Sequence, residues 1–219
     1  CAAWRGKQYA ESTIHALINA GANVDAEDKD GWTALMYATH RGYEHSVIMR
    51  SLIDAGADVD RQTNKEYTAF ILTIRNSIDK HTESKINILI SAGADVNVQD
   101  MGGMTALMHA CNLGRKYYYQ VIPTDFIMRT LIEAGSNVNI KDYQERTALM
   151  HAIENGGMEI KEVIRFLIEA GADVIQIFDS WAGLVPHTKV NDFCLKPNAE
   201  IVEYCRKNKI PNICFPKGL

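Results

Sequence analysis

The sequence predicts an all-α solenoid of about five helix-turn-helix repeats, the first one truncated, followed by a short strand-helix-strand tail. Two recurring phrases and one fixed spacing carry that expectation. The first phrase, Gly21-Ala22-Asn23-Val24-Asp25, returns as Gly56-Ala57-Asp58-Val59-Asp60, Gly93-Ala94-Asp95-Val96-Asn97, Gly135-Ser136-Asn137-Val138-Asn139 and Gly171-Ala172-Asp173-Val174. The second, Thr33-Ala34-Leu35-Met36-Tyr37-Ala38, returns as Thr68-Ala69-Phe70-Ile71-Leu72-Thr73, Thr105-Ala106-Leu107-Met108-His109-Ala110 and Thr147-Ala148-Leu149-Met150-His151-Ala152. From each Gly to the following Thr is twelve residues in all four cases, so the segment between them is a turn of fixed geometry.

From each Thr to its closing Gly the distances are 23, 25, 30 and 24 residues. Every length change therefore falls in the helix-turn-helix half, where insertions are expected to enlarge the interhelical turns. Leu35, Met36 and Ala38 mark the buried side of a first helix, and Val47, Ile48, Leu52 and Ile53 that of a second. Gly56 then ends the pair, because glycine takes the positive φ of a helix C-cap without Cβ strain. The longest insertion holds Tyr117-Tyr118-Tyr119 and Val121-Ile122-Pro123-Thr124-Asp125. Pro123 should break any helix, and Thr124 or Asp125 can cap the one that follows. The tyrosines fit either a turn covering the helix ends or a partner-binding loop. At the amino end, Ala2, Gly6 and Gly21 fall into the register of Ala38, Gly42 and Gly56 with one residue extra. Cys1 is thus expected inside a first helix, and the chain is expected to be a fragment.

These phrases resemble the ankyrin repeat, which runs from a turn through Thr-Pro-Leu-His-x-Ala and a helix pair to Gly-Ala-Asp-Val-Asn. Here Ala stands for Pro in all four Thr phrases, and Met or Ile for the His. The resemblance covers residues 1–174 and implies a protein-binding scaffold or adaptor without catalytic residues, which contacts its partner through the turn tips and the first-helix face. In register, the tips are Lys29, Asp30 and Trp32; Asn64, Lys65 and Tyr67; Met101, Gly102 and Met104; Tyr143, Gln144 and Arg146. Trp32, Tyr67, Met104 and Arg146 each precede a Thr and include types enriched in interface hot spots. His109 and His151, in one position of consecutive repeats, are expected on the concave side as partner contacts. Two histidines without accompanying ligand phrases do not define a metal site, so neither metal nor cofactor is expected.

After Val174 the rhythm stops. Val174 to Phe178 reads as a buried strand, Asn198 to Lys207 as a helix, and Asn212-Ile213-Cys214-Phe215 as another strand. The phrase Ile177-Phe178-Asp179-Ser180-Trp181-Ala182-Gly183, with Phe215-Pro216-Lys217-Gly218 further on, resembles uroporphyrinogen decarboxylase, particularly its bacterial form. That resemblance implies part of a (β/α)8 barrel over residues 175–219, with Ser180 in a substrate cleft. The family's amino-terminal arginines and catalytic aspartate have no counterpart motif here, so no activity is expected. The segment is either a fusion joined at Gly-Ala-Asp-Val, a word that serves both families, or a natural extension covering the last repeat. A hydrolytic triad of Ser180, Asp179 and His187 fails because adjacent strand residues point to opposite faces.

Composition narrows the partner. The chain has 219 residues and a net charge of −4, of the wrong sign for phosphate-driven nucleic-acid binding. No apolar run approaches the roughly 20 residues that cross a bilayer. Cys1, Cys111, Cys194, Cys205 and Cys214 are odd in number and scattered, which suits free thiols in a reducing compartment, hence the cytoplasm of the cell of origin or of a host. The expected partner is another protein, bound by a monomer.

Overall fold

The computed structural model describes residues 10–40, 46–76, 81–113, 124–155 and 160–172. Every regular element among them is a helix: α1 (Ala10–Asn19), α2 (Ala34–His40), α3 (Ser46–Asp54), α4 (Ala69–Asn76), α5 (Thr82–Ser91), α6 (Ala106–Cys111), α7 (Thr124–Glu133), α8 (Ala148–Asn155) and α9 (Ile160–Glu169). Helices α2 and α3, α4 and α5, α6 and α7, and α8 and α9 pack as pairs. The first helices then stack in a row, α2 on α4 on α6 on α8, while α1, α3 and α5 form part of the row behind, with α7 beside α9.

Local chemistry explains the two phrases. Thr33, Thr68, Thr105 and Thr147 accept the backbone N–H three residues on through Oγ1, at 3.4, 3.2, 3.4 and 3.5 Å. Each threonine is thus the N-cap of a first helix and satisfies a donor the helix leaves open. The Gly phrase closes the second helix. Gly56 N–H donates to Ile53 and Ala57 N–H to Leu52, and the same pair of bonds recurs at Gly21, Gly93, Gly135 and Gly171. This is a Schellman motif, with the glycine at φ between 80° and 91° in all five repeats.

The third and fifth residues of the Gly phrase join the repeats. The side chains of Asn23, Asp58, Asp95 and Asn137 accept the backbone N–H two residues on. Those of Asp25, Asp60 and Asn97 reach across and accept the N–H of Asp58, Asp95 and Asn137 in the next repeat, at 3.0, 2.9 and 2.7 Å. Asn97 and Asn139 add a bond to the carbonyls of Gly135 and Gly171. No repeat buries its apolar stripe alone: Leu35, Phe70, Leu107 and Leu149 of the first helices, with Leu52, Leu89, Leu131 and Leu167 of the second, are at most 3% exposed in one continuous core.

The long insertion is taken up between α6 and α7, and α7 starts immediately after Pro123. The tyrosine run, the first helix expected at Cys1, the strand-helix-strand reading and Ser180 lie outside the described residues.

Candidate interaction surface

Each turn is organised by the residue five before its capping threonine. Asp28 Oδ1 accepts the N–H of Asp30 and Trp32 at 2.8 and 2.9 Å, and Thr63 Oγ1 those of Lys65 and Tyr67 at 3.3 and 3.1 Å. Asp100 does the same for Gly102 and Met104, and Asp142 for Gln144 and Arg146. Neighbouring turns are tied by backbone bonds from Asn64 to Asp30, Met101 to Lys65, and Tyr143 to Gly102. The tips are therefore rigid before any partner arrives. They present Lys29, Asp30, Asn64, Lys65, Met101, Tyr143 and Gln144 to solvent, with Met101 and Tyr143 58% and 70% exposed.

Behind the tips, the second oxygen of the turn carboxylate binds the residue four after the threonine. Tyr37 donates to Asp28, His109 Nε2 lies 2.7 Å from Asp100 Oδ2, and His151 Nε2 lies 2.9 Å from Asp142 Oδ2. The third repeat replaces the whole pair, with Thr63 in the acid's position and Leu72 in the ring's. This corrects the expectation that His109 and His151 contact a partner. They are only 9% and 2% exposed, because each ring turns back to satisfy a buried carboxylate.

The titration of these groups follows from the bonds. The Tyr37 hydroxyl, with the Trp32 and Asp30 N–H groups, holds the Asp28 carboxyl below its usual range, and that carboxylate in turn raises the Tyr37 phenol. Burial pushes Asp142 upward, but the backbone of Arg146, the His151 ring and the Arg146 side chain outweigh it. Asp100 likewise lies below its usual range, with burial overcome by His109 and the Met104 and Gly102 N–H groups. Burial lowers His151 against the opposing pull of Asp142.

The residues preceding the threonines do form a row, and each is half-buried. Three meet a partner eight residues further along, on the exposed side of the same first helix. Trp32 packs edge-on against His40 with ring centroids 4.9 Å apart and touches Tyr37 at 5.1 Å. Arg75 stacks its guanidinium 4.3 Å from the centre of the Tyr67 ring. Arg146 binds Glu154 at 3.2 Å and Asp142 at 2.9 Å, which closes its guanidinium into an ion-pair network. Met104 lies against the core. The sequence singles out the first member of each pair but not His40, Arg75 and Glu154, although these stand at a constant offset of eight residues, about two helical turns.

A cavity of about 330 Å³ lies between α1 and α2, lined by Ile14, Leu17, Ile18, Trp32 and Tyr37 among others. No cluster of three or more His, Cys, Asp or Glu among the described residues is placed to hold a metal ion. Cys111 is buried, and burial pushes its thiol up to about 12, so it packs as a small hydrophobe. Among the described residues no helix is long and apolar enough to cross a membrane.

The family description "Ankyrin repeats (3 copies)" matches residues 1–100 and again 78–177. The chain belongs to the ankyrin repeat family. A second similarity runs to uroporphyrinogen decarboxylases of bacteria: 51% identity over 53 residues with that of Chelativorans sp. (strain BNC1), 44% over 66 with that of Aliarcobacter butzleri (strain RM4018), and 48% over 54 with that of Orientia tsutsugamushi (strain Boryong). These matches take in 23%, 27% and 23% of this ankyrin repeat chain, which spans only 16%, 19% and 16% of those relatives' length.

Proposed function

We propose that this ankyrin repeat chain is a non-enzymatic scaffold or adaptor that docks another protein along the tips and the first-helix face of repeats two to five. One observation carries the reading: Trp32, Tyr67, Met104 and Arg146 recur at one position of four consecutive stacked repeats, half-exposed, beneath rigid tips. Large side chains held in one conformation lose little entropy on binding, and Trp, Tyr and Arg are the residues on which interface energy concentrates. Replacing all four by Ala should abolish capture of the partner from the native cell while the helical circular-dichroism signal stays unchanged. Each hot-spot truncation typically costs about 2 kcal/mol or more. Affinity equal to wild type would refute the reading. The scattered cysteines and the lack of a membrane-crossing helix among the described residues favour a reducing, aqueous compartment such as the cytoplasm. We propose further that the chain acts as a monomer and that the ankyrin domain ends at residue 174.

A second reading concerns residues 175–219, and the identity with bacterial uroporphyrinogen decarboxylases favours it. In this reading the tail derives from that family, with Ser180 in a substrate-contact position, and has no activity. Decarboxylating a pyrrole acetate needs cations for the carboxylates and an acid for the ring, preorganised in one closed cleft. Purified chain incubated with uroporphyrinogen should yield no product by chromatography, whereas turnover lost in Ser180→Ala would overturn this reading.

A further inference from the structure

We infer that the docking face is selective: its second and third repeats take an extended segment that carries a carboxylate about three residues from a large apolar side chain. The inference rests on the proposed docking role and names the chemistry of the partner.

The cations of this face are in two different states. Arg146 is consumed, since Asp142 and Glu154 take its Nε, Nη1 and Nη2 groups. Arg75 is exposed, lies over the Tyr67 ring 4.3 Å from its centre, and has no carboxylate among the described residues. A guanidinium fixed by an aromatic face keeps its edge N–H groups outward, in the fork geometry that matches a carboxylate with two parallel bonds. Lys29 and Lys65 stand at the tips of the same two repeats, exposed and likewise without an ion pair. Two carboxylates share these tips, Asp30 and Glu66. Asp28 is occupied by the Tyr37 hydroxyl and two backbone N–H groups. Among the described residues, three cations therefore face two available anions, and Arg75, the one held against an aromatic face, has no carboxylate partner.

One repeat away, Trp32, Tyr37 and His40 form an aromatic cluster whose rings are held against each other. It offers amphipathic area to an apolar side chain at little cost in entropy. Stacked helices such as α2 and α4 lie about 8–10 Å apart. An extended segment advances about 3.3 Å per residue, so its anchor and its acid are about three positions apart.

The test is a random peptide display library panned on the full chain. The recovered segments should share an Asp or Glu about three residues from an aromatic or large aliphatic residue. A synthetic peptide of one such segment should lose about tenfold or more in affinity on Arg75→Gln, and as much when its acid becomes the amide, since a bond to a charged group is at stake. Arg75→Lys should not restore binding, and Arg50→Gln, on α3 behind the docking face, should change affinity less than twofold. Enriched segments without an acid, bound equally by Arg75→Gln but lost on Trp32→Ala, would overturn this inference and leave the docking role standing. Recovery of no segment at all would count against both.

Discussion

Asp60 Oδ1 accepts the backbone N–H of Asp95 at 2.9 Å and so ties the second repeat to the third. Asn97 and Asn139, at the same position of later repeats, each make a further bond through the amide, to the Gly135 and Gly171 carbonyls at 3.2 and 3.0 Å. A carboxylate has no N–H to offer Gly93. Burial, with Asp95 and Asp58 nearby, also raises the Asp60 carboxyl above 3.8 despite the Asp95 N–H. A group raised in the folded state contributes stability that is complete below its unfolded value and is lost as pH rises through the folded one.

Asp60→Asn should therefore raise the melting temperature at neutral pH, by about 0.5–1.5 kcal/mol of stability for one added hydrogen bond. The gain should shrink as pH falls below the ordinary carboxylate range. Thermal unfolding of both proteins at pH 7 and pH 3.5 checks this. A variant less stable than wild type at pH 7 would rule it out.

The pair Asp100 and His109 should behave as a unit. His109→Leu leaves a carboxylate that is 4% exposed without its ring partner, which typically costs about 1–3 kcal/mol. Adding Asp100→Thr converts the repeat to the Thr63 and Leu72 arrangement already present in this chain, so the double variant should recover more than half of the loss. Denaturant unfolding of the four members of the cycle measures the coupling. Additive losses would show that the two residues act independently.

The neighbouring pair makes the array acid-labile. Asp142 and His151 are both lowered in the folded state. For each, stability is present above its unfolded value and is lost as pH falls through the folded one, first below about 6.5 for His151 and then below about 3.8 for Asp142. His151→Leu should flatten the upper of these two steps in a plot of melting temperature against pH, and an unaltered plot would contradict the assignment.

Two glycines separate backbone strain from crowding. Gly93 is at φ 83° in open space, so Gly93→Ala meets only the left-handed conformation, about 1–2 kcal/mol. Gly103, at φ 74°, would place a Cβ 2.6 Å from the Tyr143 backbone nitrogen in the next turn. Gly103→Ala should cost clearly more, because it also breaks the Tyr143 to Gly102 bond between tips. Equal melting temperatures for the two variants would disprove the close approach.

The repeat was legible in the sequence because its phrases are local chemistry: a threonine that caps, a Leu-Ile-x-x-Gly-Ala run that closes a Schellman motif, and a side chain that bonds two residues on. Those interactions span a few residues, so their letters recur at fixed spacing wherever the backbone repeats. Only the tertiary structure decided which polar letters look outward. His109 and Arg75 are both polar residues on first helices. The turn carboxylate folds back onto His109 and buries it, while Arg75, beside a turn that carries Thr63 instead, stacks on Tyr67 and stays exposed. Whether Arg146 is available to a partner likewise depended on Asp142 and Glu154 meeting around it, four residues away along the turn and eight along the helix. Spacing places such residues near one another, and burial and competing partners then settle which bonds form.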